Sequence, residues 1–321
     1  MSMARIVVTG GAGFVGTNLV RELLKKSHEV VVIDDMSTGI SKNISDMGIE
    51  VHEISLIDKA KLREALIGAE HIFHLAARGS VPRSIKNPVS TFEINVCGTQ
   101  NVLEIAREGG AQVIFSSSSS VYGKNLRLPK NEKMWTSPIS PYAASKLAGE
   151  ALMQSYASSY GLNIVNFRFF NIFGPFQRPD HVYAAVIPKW IWSALNNQKL
   201  TLFGDGSQTR DFTFIDTVVE VLMKTLSWKK GHEDPINLAF GNRISLNDVL
   251  AKLTAVFPDL RITQQEGRSG DVLDSQNDPN YIRQLFPDVI PVTFESGFEK
   301  TINWFRSEGI GFADGPTFLN R

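Results

Sequence analysis

The stretch Arg5-Ile6-Val7-Val8-Thr9-Gly10-Gly11-Ala12-Gly13-Phe14-Val15-Gly16 decides the fold. Ile6 to Thr9 are all β-branched and show no amphipathic alternation, as in a parallel strand buried on both faces. A helical pattern follows from Thr17 to Lys26, so the glycines sit between a strand and a helix. In that setting Gly10, Gly13 and Gly16 let the backbone turn tightly and approach a pyrophosphate, which the helix N-terminus stabilises.

Outward from this stretch, a second strand over Glu29 to Ile33 ends at Asp34-Asp35. An acid about 20 residues past the glycine loop is placed to bind both hydroxyls of an adenosine ribose. A 2′-phosphate there would be repelled by about 4 kcal/mol per charge at about 4 Å and an effective dielectric of 20. No Lys or Arg between Ile33 and Ser41 offsets this, so the residues favour NAD over NADP. Next are expected a strand at Val51 to Ile54, a helix at Lys59 to Ile67, a strand at His71 to Leu75, a helix at Val89 to Glu108 and a strand at Gln112 to Phe115. This alternation predicts an α/β fold, a Rossmann-type doubly wound parallel sheet with a smaller α/β substrate-binding lobe. His74 reads as a core or strand-end histidine, and Ala76-Ala77 as small residues that let backbone lie against a cofactor.

The serines from Ser116 to Ser120 follow a central strand, where hydroxyls face the ligand crevice of such sheets. Some twenty residues later Pro141-Tyr142-Ala143-Ala144-Ser145-Lys146 opens a helix, placing a phenol and an ammonium at i and i+4 on one face. A nearby ammonium favours the phenolate, so Lys146 is expected to lower the pKa of Tyr142.

The 321 residues suffice for a sizeable core, and their 33 Lys plus Arg balance 33 Asp plus Glu. No net field draws the chain to nucleic acid or a membrane, so an anionic ligand must be held by local charges. The single cysteine, Cys97, excludes an internal disulfide framework and reads as a small buried hydrophobe. The six histidines show no metal-ligand spacing, so no metal site is expected. Met1 to Val8 lacks the pattern of an export signal and no window approaches a membrane span, which predicts a cytoplasmic protein.

Gly10-x-x-Gly13-x-x-Gly16, Asp34, His74-Leu75-Ala76-Ala77, Ser116 to Gly123, Tyr142-x-x-x-Lys146 and Arg168-Phe169-Phe170-Asn171-x-x-Gly174-Pro175 resemble, in order and context, the extended short-chain dehydrogenase/reductases. Among these the chain is most similar to NAD-dependent UDP-sugar 4-epimerases, through Tyr183 to Trp190 and Gly204 to Phe212, and over roughly residues 5 to 275. The stretch Tyr183 to Trp190 is similar to UDP-N-acetylglucosamine 4-epimerases.

The resemblance implies that Tyr142, Lys146 and Ser118 are catalytic. It implies NAD contacts from Gly10, Gly13, Phe14, Val15, Gly16, Asp34, Asp35, Ser37, Gly39, Leu56, Leu75, Ala76, Ala77, Asn95, Ser116 and Phe169, besides Tyr142 and Lys146. For the UDP-sugar it implies Gly79, Ser80, Ser118, Ser119, Ser120, Tyr142, Asn171, Ala185, Val186, Lys189, Trp190, Thr201 and Phe203. Arg210 and Arg268 are assigned to the diphosphate, Asp271 to the nucleotide ribose, and Ser275 to a gate whose small size admits an N-acetyl group. A cofactor domain is implied over residues 1–175 with a return segment near 211–240, and a UDP-sugar lobe over 176–321. Helices around 92–108 and 143–160 imply a homodimer through a four-helix interface.

Related 4,6-dehydratases carry Asp-Glu after the catalytic Ser or Thr, and UDP-glucuronate decarboxylases a Glu two places after it. Here those positions are Ser119 and Ser120, which favours simple C4 epimerisation. The expected substrates are UDP-GlcNAc and UDP-GalNAc, with UDP-Glc and UDP-Gal also accepted. Alternatives stay open: a UDP-glucuronate 4-epimerase, for which Arg178-Pro179-Asp180 speaks, or another NAD-dependent sugar-nucleotide oxidoreductase, a reductase using exchangeable NADPH, and a non-catalytic nucleotide- or RNA-associated protein on the same fold.

Overall fold

The computed structural model describes residues 3–180, 184–228, 230–266 and 274–307. β1 (Arg5–Thr9), α1 (Phe14–Lys25), β2 (Glu29–Ile33), β3 (Glu50–His52), α2 (Lys59–Leu66) and β4 (His71–His74) open the chain. Two short helices, α3 (Val81–Lys86) and α4 (Pro88–Phe92), a π-helical turn at Glu93–Cys97 and α5 (Gly98–Gly109) lead to β5 (Gln112–Ser118). After a long connection come α6 (Pro141–Tyr160), β6 (Ile164–Phe169) and β7 (Asn171–Phe173). Then follow α7 (Val186–Leu195), β8 (Leu200–Phe203), β9 (Thr209–Arg210), β10 (Phe212–Phe214), α8 (Ile215–Lys224) and β11 (His232–Leu238). Beyond them lie β12 (Ile244–Ser245), α9 (Leu246–Val256), β13 (Ile262–Gln265), α10 (Asn280–Leu285) and α11 (Phe294–Ser307).

A seven-stranded sheet runs in the order β11-β6-β5-β4-β1-β2-β3, with every neighbouring pair parallel. Both faces are covered. Ile6 and Val8 of β1 enter one apolar cluster while Val7 between them enters the other. Fully burying such side chains is worth about 1.5–3 kcal/mol each, which is why the strands read as unbroken β-branched runs. The strand order reverses between β1 and β4, and a crevice opens beyond the carboxyl ends of the strands at that point.

The second half contributes small sheets outside this frame. β8 pairs with β13, β9 with β12 and β10 with β7. β11 returns to the edge of the large sheet beside β6. Asp211 holds this junction, its carboxylate accepting the backbone N–H groups of Gly241, Asn242 and Asn277 at 3.0, 3.1 and 2.9 Å.

Some local expectations are corrected. The helix anticipated over Val89 to Glu108 is interrupted by the π-helical turn at Glu93–Cys97. Cys97 lies exposed rather than in the core. The third strand is shorter than expected, ending at His52.

Candidate active site

α6 carries the central pair, and its start is set locally. Ser140 caps it, accepting the Ala143 N–H at 3.1 Å, and Pro141 occupies the first helical turn. Tyr142, Lys146 and Glu150 then recur every four residues toward the end of β5. The Lys146 ammonium donates to the Ser116 carbonyl at 2.6 Å and stands 5.0 Å over the Phe115 ring. The Tyr142 phenol is hydrogen-bonded to Ser118, and the Ser118 hydroxyl accepts the Ser120 hydroxyl at 2.9 Å.

The electrostatics differ from the expectation. Burial raises the Tyr142 phenol above its ordinary value, opposed by the Ser118 bond, so Lys146 does not lower it here. The ammonium points to the strand end instead. Burial also brings Lys146 itself down to about 7, opposed by the charge of Glu150.

Behind the pair is a buried network that the sequence reading missed. Glu150 and Arg168 form a bidentate ion pair at 2.9 and 2.7 Å, and Ser117 donates to the same carboxylate. Arg168 also donates to the Tyr122 hydroxyl at 3.0 Å, which itself donates to Asn237. Charged groups this buried persist only when paired, so the network ties α6, β5, β6 and β11 together beneath the serines. The Tyr142, Lys146, Glu150 spacing was the available signal.

At the switch point the glycine loop is a backbone cradle. Gly10 has φ +73°, and a Cβ there would lie 2.8 Å from the Ala76 nitrogen. A Cβ on Gly16 would collide with the Gly10 carbonyl oxygen. His74 bridges Thr9 at 2.8 Å and Thr99 at 2.9 Å, and burial holds it at about 3, so it is a neutral strand-end tie. The buried Asp34 carboxylate accepts the Ala12 and Met36 N–H groups, each at 3.0 Å. Around it Asp35, Ser37, Leu56, Leu75, Ala76 and Ala77 line a cavity of about 90 Å³ that adjoins Gly10 and Gly13. Gly39 abuts the Asp34 carboxylate, leaving no room for a side chain. These features fit the adenosine and pyrophosphate of a dinucleotide, because backbone reaches the ligand space unobstructed and a carboxylate waits beside it.

No Lys or Arg lies between Ile33 and Ser41, but a cation from farther along the chain reaches this acidic pair. Arg78, from the loop after β4, pairs with Asp35 at 2.9 Å and donates to Ser37. Chain distance hid this, since Arg78 lies 43 residues from Asp35.

The main cavity, about 660 Å³, runs on from the glycine loop. Gly10, Gly13, Phe14, Val15, Gly16, Leu75, Ala77, Ser116, Ser118, Tyr142, Lys146 and Phe169 line its inner part. Gly79, Asn171, Ala185, Val186, Lys189, Trp190, Thr201, Phe203 and Arg210 line its outer part, with Gln208 and Leu246, which the sequence reading did not single out. Among the described residues its lining holds the cations Lys146, Lys189 and Arg210 and no carboxylate.

Other anticipated residues lie elsewhere. Asn95 is buried behind the crevice, between Arg78 and Ser145. Ser80 lines a separate cavity with Arg83 and Arg178. Ser119 and Ser120 form a 3-10 turn outside the main cavity's lining. The Ser275 N–H is bonded to the Thr209 carbonyl at 3.1 Å, and its side chain is not among the lining groups. Arg268 and Asp271 lie outside the described residues. Among the described residues no helix is long and apolar enough to cross a membrane, and no group of three His, Cys, Asp or Glu could hold a metal ion.

Comparison with known proteins agrees with this geometry. The model of the NAD dependent epimerase/dehydratase family matches residues 6–239. A UDP-glucose 4-epimerase of Mycolicibacterium smegmatis is 34% identical over 315 residues, covering 95% of this chain and 99% of the relative. A UDP-N-acetyl-alpha-D-glucosaminuronate decarboxylase of Bacillus cytotoxicus is 32% identical, covering 94% and 98%. Among solved structures, the UDP-N-acetylglucosamine 4-epimerase from Methanobrevibacter ruminantium M1, in complex with UDP-N-acetylmuramic acid, superposes with TM-score 0.89 at 33% identity, covering 96% of this chain and 99% of that one. With its sheet order, glycine cradle and Tyr142/Lys146 helix, the chain belongs to the NAD dependent epimerase/dehydratase family of extended short-chain dehydrogenase/reductases, and NAD is its cofactor.

Proposed function

We propose that the chain is a UDP-sugar 4-epimerase, acting on UDP-GlcNAc and UDP-GalNAc and also on UDP-Glc and UDP-Gal. The observation that carries the reading is the cavity lining around Tyr142, which among the described residues includes cations but no Asp or Glu. Dehydration and the proton chemistry after decarboxylation call for an acid beside the sugar, whereas inversion at C4 needs one group that takes and returns a single proton.

Bound NAD supplies a reversible hydride acceptor. Tyr142 is the proton-handling group at the sugar 4-OH. Its phenol oxygen takes the hydroxyl proton as C4 is oxidised and gives it back when the 4-ketose, turned to its other face, is reduced. Ser118, already bonded to that phenol, shares the same sugar oxygen and fixes its direction. Lys146, its ammonium anchored on the Ser116 carbonyl, would hold the nicotinamide ribose, and a cation at that place would favour the phenolate. Arg210 and Lys189 meet the diphosphate at the outer end, where local cations are needed in a chain of zero net charge. Gly10 to Gly16 and Asp34 bind the cofactor's pyrophosphate and adenosine ribose. The choice of the N-acetylated pair is supported by likeness to the UDP-N-acetylglucosamine 4-epimerase of known structure, since Ser275 stands outside the cavity's lining.

A uronate substrate is the second reading, supported by likeness to the decarboxylase above and by Arg178. That guanidinium is already engaged by Asp180, at 3.0 and 2.7 Å, and by the Thr38 carbonyl, which weighs against it. The test is a panel of UDP-Glc, UDP-Gal, UDP-GlcNAc, UDP-GalNAc and UDP-GlcA, with products separated by chromatography. Interconversion of the N-acetylated pair is expected. Carbon dioxide from UDP-GlcA, or a 4-keto-6-deoxy product, without any C4 epimer would overturn the reading.

A further inference from the structure

We propose that Arg78 is a latch on the adenosine end of the cofactor crevice, and that its pairing with Asp35 sets how long NAD stays bound. The two residues come from opposite walls. Asp35 follows β2 and Arg78 follows β4, and β1 with its glycine loop lies between them. Two strand spacings, about 9–10 Å, therefore separate the walls. The Arg78 side chain spans that gap, donating to Asp35 Oδ2 at 2.9 Å and to Ser37 Oγ. Arg78 and Asp35 both line the small cavity that holds Asp34, Leu56 and Ala76, so the pair closes over the space into which adenosine fits.

The far end of the latch is prepared to receive it. The Ser37 hydroxyl and N–H both bond Asp35 Oδ1, at 2.5 and 3.0 Å, which orients the carboxylate. Burial alone would raise Asp35, but Ser37 and the Arg78 charge outweigh it and hold the group below the ordinary carboxylate value. The base of the latch is fixed as well. The Arg78 N–H donates to Asn95 at 2.7 Å, Asn95 donates to Ser145 at 2.9 Å, and Ser145 donates to the Tyr142 carbonyl at 2.7 Å. The backbone of Arg78 is thus pinned to the helix that carries Tyr142, and opening requires only that its side chain swing off Asp35. An ion pair with side chains 21% and 26% exposed is sheltered enough to resist opening yet reachable by water.

The inference rests on the epimerase reading, in which the cofactor is regenerated in place and gains from retention between turnovers. The full chain is purified as wild type, Arg78→Ala, Arg78→Lys and Asp35→Asn, with the double variant Arg78→Ala/Asp35→Asn. Co-purified NAD is measured after acid denaturation, and release is timed by loading NADH and chasing its fluorescence with excess NAD. Arg78→Ala is expected to release at least tenfold faster, equivalent to about 1.4 kcal/mol. Asp35→Asn should match it, and the double variant should be no faster than either, because each removes the same contact. Arg78→Lys, which keeps the charge without the fork, should fall between. Circular dichroism reports folding, and should Arg78→Ala not fold, the Lys and Asn variants carry the test alone. Release within twofold of wild type in the folded variants, or effects that add in the double variant, would overturn the latch. The substrate panel separates the two ideas: epimerisation by wild type with no change of release in the variants sinks the latch alone.

Discussion

Tyr142 and Lys146 show how burial and chemistry compete at single residues. The phenol is pushed up by burial and the ammonium down to about 7 by the same cause, so each is held against its charged form. Replacing Tyr142 by Phe removes the only hydroxyl assigned to the proton transfer. Turnover should fall by several powers of ten while UDP-sugar binding, measured by calorimetry, stays within about threefold; near-normal turnover would defeat the assignment. Lys146 makes a different prediction. Its folded pKa lies below the unfolded value near 10.5, so neutral solution charges the unfolded chain more readily than the folded one. Stability is therefore lost as pH falls from about 10.5 through about 7. Lys146→Met should relieve that cost, stabilising the protein by about 1–3 kcal/mol at pH 7 in urea unfolding while abolishing turnover.

Among elements, β4 and the helical segment after it carry most of the unforeseen structure. His74 closes β4 onto Thr9 of β1 and Thr99 of α5, and because Thr99 donates to the Asn95 carbonyl at 2.6 Å, the ring offers it the Nε2 proton and accepts from Thr9 at Nδ1. That arrangement requires the neutral ring. A base with a depressed folded pKa binds fewer protons folded than unfolded, so its contribution is intact above pH 6.5 and erodes as pH falls toward about 3. The loss from this residue should approach about 1.4 kcal/mol per pH unit below 6.5. Comparing urea unfolding at pH 7 and pH 5 for wild type and His74→Asn should show the smaller decline in the variant; equal declines would refute the coupling. The π-helical turn at Glu93–Cys97 adds a residue to the helix where Asn95 turns inward to Arg78 and Ser145. Just beyond it, a Cβ on Gly98 would press 2.8 Å from the Leu56 Cβ, which accounts for glycine at the close approach of the β3–α2 connection. An amphipathic pattern shows a helix but not an extra residue within it, because one residue shifts the face only partway.

For the whole molecule, one group of exposed apolar residues lies on neighbouring short helices of the cofactor half. Val81, Ile85, Val89 and Phe92, 38–76% exposed, lie on α3 and α4, which pack on α6. We propose a homodimer through the helices around 92–108 and 143–160, with the exposed Val89 and Phe92 at its edge. Sedimentation equilibrium should give a dimer for wild type and at least a tenfold weaker one for Val89→Glu; a monomeric wild type would remove the proposal.

The sequence by itself determined the nucleotide half. Strand, glycine loop, helix and terminal acid are local patterns, and their chemistry needs only neighbours a few residues apart, so β1, β2, Asp34 and the Tyr142/Lys146 turn were legible one by one. Tertiary structure decided whatever depends on residues far apart in the chain. It brought Arg78 to Asp35, stacked Glu150 against Arg168, turned Lys146 toward Ser116 rather than the phenol, and left Ser275 outside the main cavity's lining. The reason is physical: a buried charge or a long side chain takes whichever partner the packed sheet brings within reach, and no spacing along the chain encodes that distance.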